Sequence, residues 1–313
     1  MNPDPNNGKQ VIVREVWASN LHTELSLIQS AMPSFKFPGT IFTPKVDDKR
    51  SYSELSPSTN YSFMKANVDA LNIIQLGLAL SDSNGNLPKF GTQNGHIWQF
   101  NFSDFDVDRD RHNVEFIQLL KKQGMDFLRN KKEGVRSGIF RDCVLKSGLF
   151  FNSGLTWITF HGTYDFGYLI KLLIGSELPP NVHMFSHLVA QIFEPKIYDM
   201  KHVMKFCNGL YGGLEKVAKT LNVDRVTGKS HQAGSDSLLT LQAFMKLKDV
   251  YFDGNYYSGL ERFQGIIYGF EEVNTMMMMI PIIPKRPPSS LLVIPTPTYS
   301  PGLLHPVVFM SRY

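Results

Sequence analysis

Apolar positions along the chain change period in a regular way. Leu21, Leu25 and Ile28 fall at helical spacing behind Asn20, so residues 11–28 read as a strand or turn leading into an amphipathic helix that Asn20 could cap. After a polar linker at Tyr52–Pro57, the spacing predicts a helix over Tyr61–Asn72 and a buried strand over Ile73–Leu80. Asp82-Ser83-Asn84-Gly85-Asn86 then supplies turn chemistry ahead of a second strand, Ile97–Phe102, which predicts a hairpin. Helices are expected over Val114–Arg129 and Ile139–Lys146, and a strand over Leu155–Phe160 followed by helical spacing from Phe166 to Leu173. Past Pro179-Pro180 the pattern gives a helix at Met184–Phe193, a short strand at Ile197–Asp199, and helices at Val203–Leu210 and Leu214–Leu221. A last helix runs to about Lys248. Strands that repeatedly lead into helices predict an α/β domain around a mixed sheet.

The two ends behave differently from this middle. Residues 1–10 are polar and carry no apolar core of the kind a signal peptide has, so they are expected to be disordered. A domain is expected over 11–275, followed by a proline-rich tail, 276–313, whose run Met276–Pro284 is too short and too broken to span a bilayer. The formal charge of +4 announces no bulk nucleic-acid binder, and two cysteines are too few for a disulfide scaffold or a thiolate zinc site.

Candidate chemistry concentrates in two stretches. His231-Gln232-Ala233-Gly234-Ser235-Asp236 places an imidazole and a carboxylate around the start of the last helix, with Ser235 as the expected cap and Asp236 in the first turn. A histidine that can take a proton beside a carboxylate that can hold a metal suits hydrolysis, although a capped helix with a polar loop has the same residues. His161-Gly162-Thr163-Tyr164-Asp165 sets a second carboxylate at a strand-to-helix junction, where it could line a cleft. Asp104, Asp106, Asp108 and Asp110 alternate like a calcium loop but lack its glycine and closing glutamate, so they read as a solvated acidic turn.

These motifs, together with Val13–Trp17, Asn67-Val68-Asp69, Ile73–Leu78, Trp98–Phe102, Ile197–Cys207 and Gly212-Gly213-Leu214, closely resemble the Caf-one/Pop-two deadenylases, most of all their plant branch. These are the CCR-four-associated nuclease subunits of the Ccr–Not complex. The resemblance implies a ribonuclease H-like (DEDD exonuclease) fold, a mixed sheet flanked by helices. It also implies two-metal phosphodiester hydrolysis with Mg²⁺ or Mn²⁺, in which Asp165 and Asp236 are metal-binding carboxylates and His231 is the general base. The implied partners are the poly(A) tail of messenger RNA, the large Not scaffold and a second deadenylase subunit, in nucleus and cytoplasm and without a membrane.

One motif departs from the pattern. The family carries an Asp-x-Glu pair immediately before Phe-Pro-Gly, whereas Ser34-Phe35-Lys36 precede Phe37-Pro38-Gly39 here, after a shortened connection. By this resemblance Ser34 takes the aspartate position and Lys36 the glutamate position, and much of the first strand is expected to be missing. Either the chain is a degenerate paralogue or the coding sequence around residues 28–37 was skipped. Two functions follow: a poly(A)-specific 3′→5′ exoribonuclease of impaired activity, or a non-catalytic interaction subunit of the same complex.

Overall fold

The computed structural model describes residues 10–43, 55–193, 196–252 and 259–271. Among them six strands form one mixed sheet in the order β1-β4-β3-β2-β5-β6. The strands are β1 (Val11–Val16), β2 (Phe37–Thr43), β3 (Gln75–Ser81), β4 (Gly95–Asn101), β5 (Trp157–Thr159) and β6 (Ile197–Asp199). The hairpin expected from the Asp82–Asn86 turn is β3 with β4, paired antiparallel; β2 pairs antiparallel with β3 and parallel with β5.

Both faces of the sheet are covered, and alternation along β3 shows how. Leu76, Leu78 and Leu80 enter one core with α1 (Leu21–Ala31), α2 (Pro57–Ala70), α5 (Ser137–Val144), α6 (Thr163–Ile174) and α7 (Val182–Phe193). Ala79, with Ile97 and Ile158 of the neighbouring strands, enters a second core against α9 (Leu214–Thr220) and α10 (Ala233–Tyr251). That is why β3 and β4 are buried along their whole length. The mixed α/β sheet expected from the sequence is therefore present.

Several elements differ from the pattern reading, each for a local reason. Helix α2 begins at Pro57, because Ser56 accepts the Thr59 N–H and proline suits the first helical position. The long helix expected from Val114 is two, α3 (Val114–Lys122) and α4 (Phe127–Glu133). Gly124 takes a φ of 100° between them, and Asp126 caps the second through the Arg129 N–H. Val203–Leu210 is not a helix; a short α8 (Met200–Val203) passes into a 3₁₀ turn at Met204–Phe206. Asn20 does stand at the start of α1 but spends its side chain on Trp17 N–H and the Glu15 carbonyl rather than on the helix. The aspartate-rich segment is held as a turn: Asp104 accepts from Ser137, and Asp106 from Lys131 and Asp108. Residues 1–9 and 272–313, where disorder and the proline-rich tail are expected, lie outside the described residues.

Candidate active site

Helix α10 crosses the sheet in direct backbone contact. A Cβ at Gly77 would overlap the Ala233 carbonyl, and one at Gly39 would stand 2.9 Å from the Ser237 carbonyl oxygen. Small residues on β2 and β3 thus let the first turn of α10 lie on the strands. The Gly234 N–H donates to Gln99 Oε1 at 3.1 Å, which satisfies one of the orphan donors of that turn. Ser235 is not the cap. The helix starts two residues earlier, with Gln232 before it and no side-chain cap, and Ser235 is buried within the first turn, donating to the Thr227 carbonyl at 2.5 Å.

Asp236 and His231 are brought together as the motif implies, through the backbone. His231 takes a φ of 67°, and its N–H donates to Asp236 Oδ2 at 3.1 Å. Its ring is on the exposed side of the loop, edge-on to Phe116. Asp236 Oδ1 accepts from Arg225 Nη2 at 2.6 Å, and the same guanidinium binds Glu215 and Ser235. Burial pushes the Asp236 carboxyl up, against the pull of the Arg225 cation.

Asp165 is 5% exposed in the first turn of α6. That turn has no side-chain cap of its own; it is held by Asp199, fully buried at the end of β6. The Asp199 carboxylate accepts the N–H groups of His161 (2.8 Å), Gly162 (2.9 Å), Lys201 (2.9 Å) and Tyr268 (3.0 Å). Burial pushes this carboxyl up while the four N–H bonds pull it down. Sequence reasoning missed this anchor, although an aspartate closing a short apolar strand ahead of a helix is an N-cap signal.

Strands β2 and β5 run parallel with Gly39 opposite Ile158, so the chain leaving β5 enters α6 toward the Thr43 end of β2. Helix α10 lays its first turn over Gly77, whose strand partner on β2 is Ile41. The two candidate carboxylates therefore start helices on opposite faces of the sheet, both toward the C-terminal half of β2. Helix dipoles favour negative charge at both places.

Phe37–Thr43 forms a strand seven residues long, and Ser34 and Lys36 lie ahead of it. Ser34 lies in the turn that ends α1, and the Lys36 carbonyl receives the Thr156 N–H at the opening of β5; both side chains are exposed. These two residues stand at the N-terminal end of β2, away from the first turn of α10. Positions Ile41 and Thr43, in the registers of Gly77 and Gln75, occupy the end where the helices begin. Among the described residues no three His, Cys, Asp or Glu side chains gather as a metal site.

No protein-family profile matches the chain. The probable CCR4-associated factor 1 homolog 10 of Arabidopsis thaliana is 44% identical over 266 residues, covering 83% of this chain and 92% of the relative. The poly(A) ribonuclease pop2 of Schizosaccharomyces pombe is 38% identical over 250 residues, 78% of this chain and 71% of that protein. Among solved structures, S. pombe Pop2p in its Mg²⁺- and Mn²⁺-bound form matches with a TM-score of 0.73 at 37% identity, covering 82% of this chain and 99% of that one. CAF1 co-crystallised with the yeast NOT1 MIF4G domain matches at 0.67 and 32%, over 86% and 100%.

Proposed function

The chain belongs to the CCR4-associated factor 1/Pop2 family, and from that premise we propose that it is the deadenylase-type subunit of a Ccr–Not assembly whose hydrolysis of poly(A) is impaired. The substrate is the poly(A) tail of messenger RNA, shortened from its 3′ end. Partners are a Not scaffold, through a domain of the MIF4G kind seen with CAF1, and a second deadenylase subunit. The setting is messenger-RNA decay in nucleus and cytoplasm.

The single observation that carries the impairment is the register of β2. Its C-terminal half brings Ile41 and Thr43, not carboxylates, to the end of the sheet where α6 and α10 begin. In this reading Asp165 and Asp236 would hold divalent metal, with too few carboxylate companions among the described residues to retain two ions. His231 stands on the exposed side of its loop, where a ring nitrogen can take a proton from water, and Asp236 fixes that loop through the His231 N–H. The same missing carboxylates favour a second reading, a subunit that retains partner surfaces and has lost turnover entirely.

A deadenylation time course on a 3′-poly(A) RNA with Mg²⁺ or Mn²⁺ tests both. This chain, its Asp236→Ala variant and fission-yeast Pop2 are compared. Turnover at least about a hundredfold below Pop2 is expected, the scale of a lost charge contact of a few kcal/mol. Turnover equal to Pop2 would overturn the impairment, and turnover no higher than that of Asp236→Ala would select the non-catalytic reading. Failure to bind the NOT1 MIF4G domain would overturn the Ccr–Not assignment.

A further inference from the structure

The excess charge of the chain is concentrated in one stretch. Residues 121–136 hold six cations (Lys121, Lys122, Arg129, Lys131, Lys132 and Arg136) against two carboxylates, Asp126 and Glu133, a net charge of +4. The whole chain also carries +4, so its remaining residues balance. The stretch comprises the last turn of α3, all of α4 and the entry to α5. Main-chain bonds fix it to the rest of the domain: the Ala18 N–H donates to the Glu133 carbonyl at 2.9 Å, and the Val135 N–H to the Asn101 carbonyl at 2.8 Å. Within α4, Phe127 and Asn130 are buried one turn apart, which leaves Arg129, Lys131 and Lys132 on the outer faces.

Carboxylates compensate only part of this charge. Arg129 pairs with Glu133 at 2.9 Å and with Glu15 at 3.6 Å, and Lys131 pairs with Asp106 at 2.7 Å. Lys121, Lys122, Lys132 and Arg136 are exposed, and none of the four has an ion pair among the described residues. Uncompensated cations on a fixed support attract a polyanion.

Position separates this face from an ordinary solvated one. Residues 123–126, with Arg129 and Asn130, form one wall of the cleft that His231 and Gln232 border. The Gln232 side-chain amide donates to the Gln123 carbonyl at 2.8 Å, one residue past Lys122, and Phe116 of α3 stands edge-on to the His231 ring. A strand whose 3′ end lies at His231 and which leaves along this wall therefore runs beside α4.

We propose that the outer face of α3 and α4 is a track for the RNA backbone, on which Lys121, Lys122, Lys132 and Arg136 hold phosphates upstream of the 3′ end. The inference rests on the deadenylase reading and deepens it: the grip on the substrate is separate from Asp165 and Asp236 and does not depend on their metal. Contacts to phosphate position a strand and read no bases, so the track accepts RNA of any sequence. An acidic protein segment would meet the same charges, but the wall shared with His231 favours the nucleic acid.

The test is a salt titration of binding to the whole chain without divalent metal, so that nothing is hydrolysed. The probe is a fluorescent RNA with a mixed-sequence 5′ half and an oligoadenylate 3′ half. The track variant combines Lys121→Gln, Lys122→Gln and Lys132→Gln. A control with the same loss of charge combines Lys89→Gln, Lys146→Gln and Lys246→Gln, at exposed lysines elsewhere. Three phosphate contacts on a single strand carry a slope of about −2 in log K against log salt. Between about 50 and 200 mM salt, the unmodified chain and the control should therefore lose about twentyfold more affinity than the track variant. At the lower salt the track variant should bind at least about tenfold more weakly than either. All three proteins are checked for the same circular-dichroism spectrum and Tm. An unchanged salt slope in the track variant overturns the proposal and leaves the face to an acidic protein segment. Equal losses in the two variants overturn it in favour of bulk charge. No binding by the unmodified chain overturns it together with the deadenylase reading, whereas a working track without RNA shortening would defeat the catalytic reading alone.

Discussion

Installing carboxylates at positions 41 and 43 tests the register of β2 more directly than any loss of function. Two double variants are compared, Ile41→Asp with Thr43→Glu, and Ser34→Asp with Lys36→Glu. Lys36 lies about 17 Å along the strand from position 41, five residues at about 3.3 Å each. At that separation two unit charges interact by about 0.2 kcal/mol in water. A Debye length of about 8 Å at physiological salt removes most of that. A carboxylate about 4 Å from a cation contributes about 4 kcal/mol at an effective permittivity of about 20, or roughly a thousandfold in affinity. Titration calorimetry with Mn²⁺ should therefore show tightened binding for the first pair, by two to three orders of magnitude on this order-of-magnitude scale. The second pair should bind as the unmodified chain does. Circular dichroism and thermal melting establish that each variant is folded. Tight Mn²⁺ binding by the Ser34/Lys36 pair, or none by a folded Ile41/Thr43 pair, would refute the register argument.

Asp199→Ala leaves four backbone N–H groups without their acceptor, so urea unfolding should show a loss on the order of 3–5 kcal/mol; a loss below about 1 kcal/mol would mean that the anchor is not holding α6. Glu271 gives a pH signature. Burial would raise its carboxyl, but hydrogen bonds from His202 (2.9 Å) and Lys205 (2.7 Å) prevail and hold it at about 2, from an ordinary 4.5. A depressed acid stabilises the fold fully above its unfolded value and ceases to do so as pH falls through the folded one. The Tm difference between the native chain and Glu271→Gln should therefore be constant at neutral pH and shrink between about pH 4.5 and 2; a pH-independent difference would contradict the pairing.

Much of this protein is written locally. Leu76, Leu78 and Leu80 alternate with Gly77 and Ala79, and that period of two already specifies a strand with different cores on its two faces. The turn residues Asp82–Asn86 specify the hairpin, and the motifs around Asp165, His231 and Asp236 specify the family, because short-range residue types and spacing are enough to encode them. Other features depend on what lies opposite. Ser235 looks like a cap in sequence, yet α10 begins two residues earlier because Gln99, on a distant strand, satisfies the Gly234 N–H. The four donors on Asp199 come from three separate segments, and no window along the chain contains them. Spacing before Phe37-Pro38-Gly39 set Ser34 and Lys36 at the expected carboxylate positions, but strand register is fixed by partners. Pairing with β3 and the fit of Gly39 beneath α10 carry Phe37–Thr43 into the first core strand and leave Ser34 and Lys36 at its outer end.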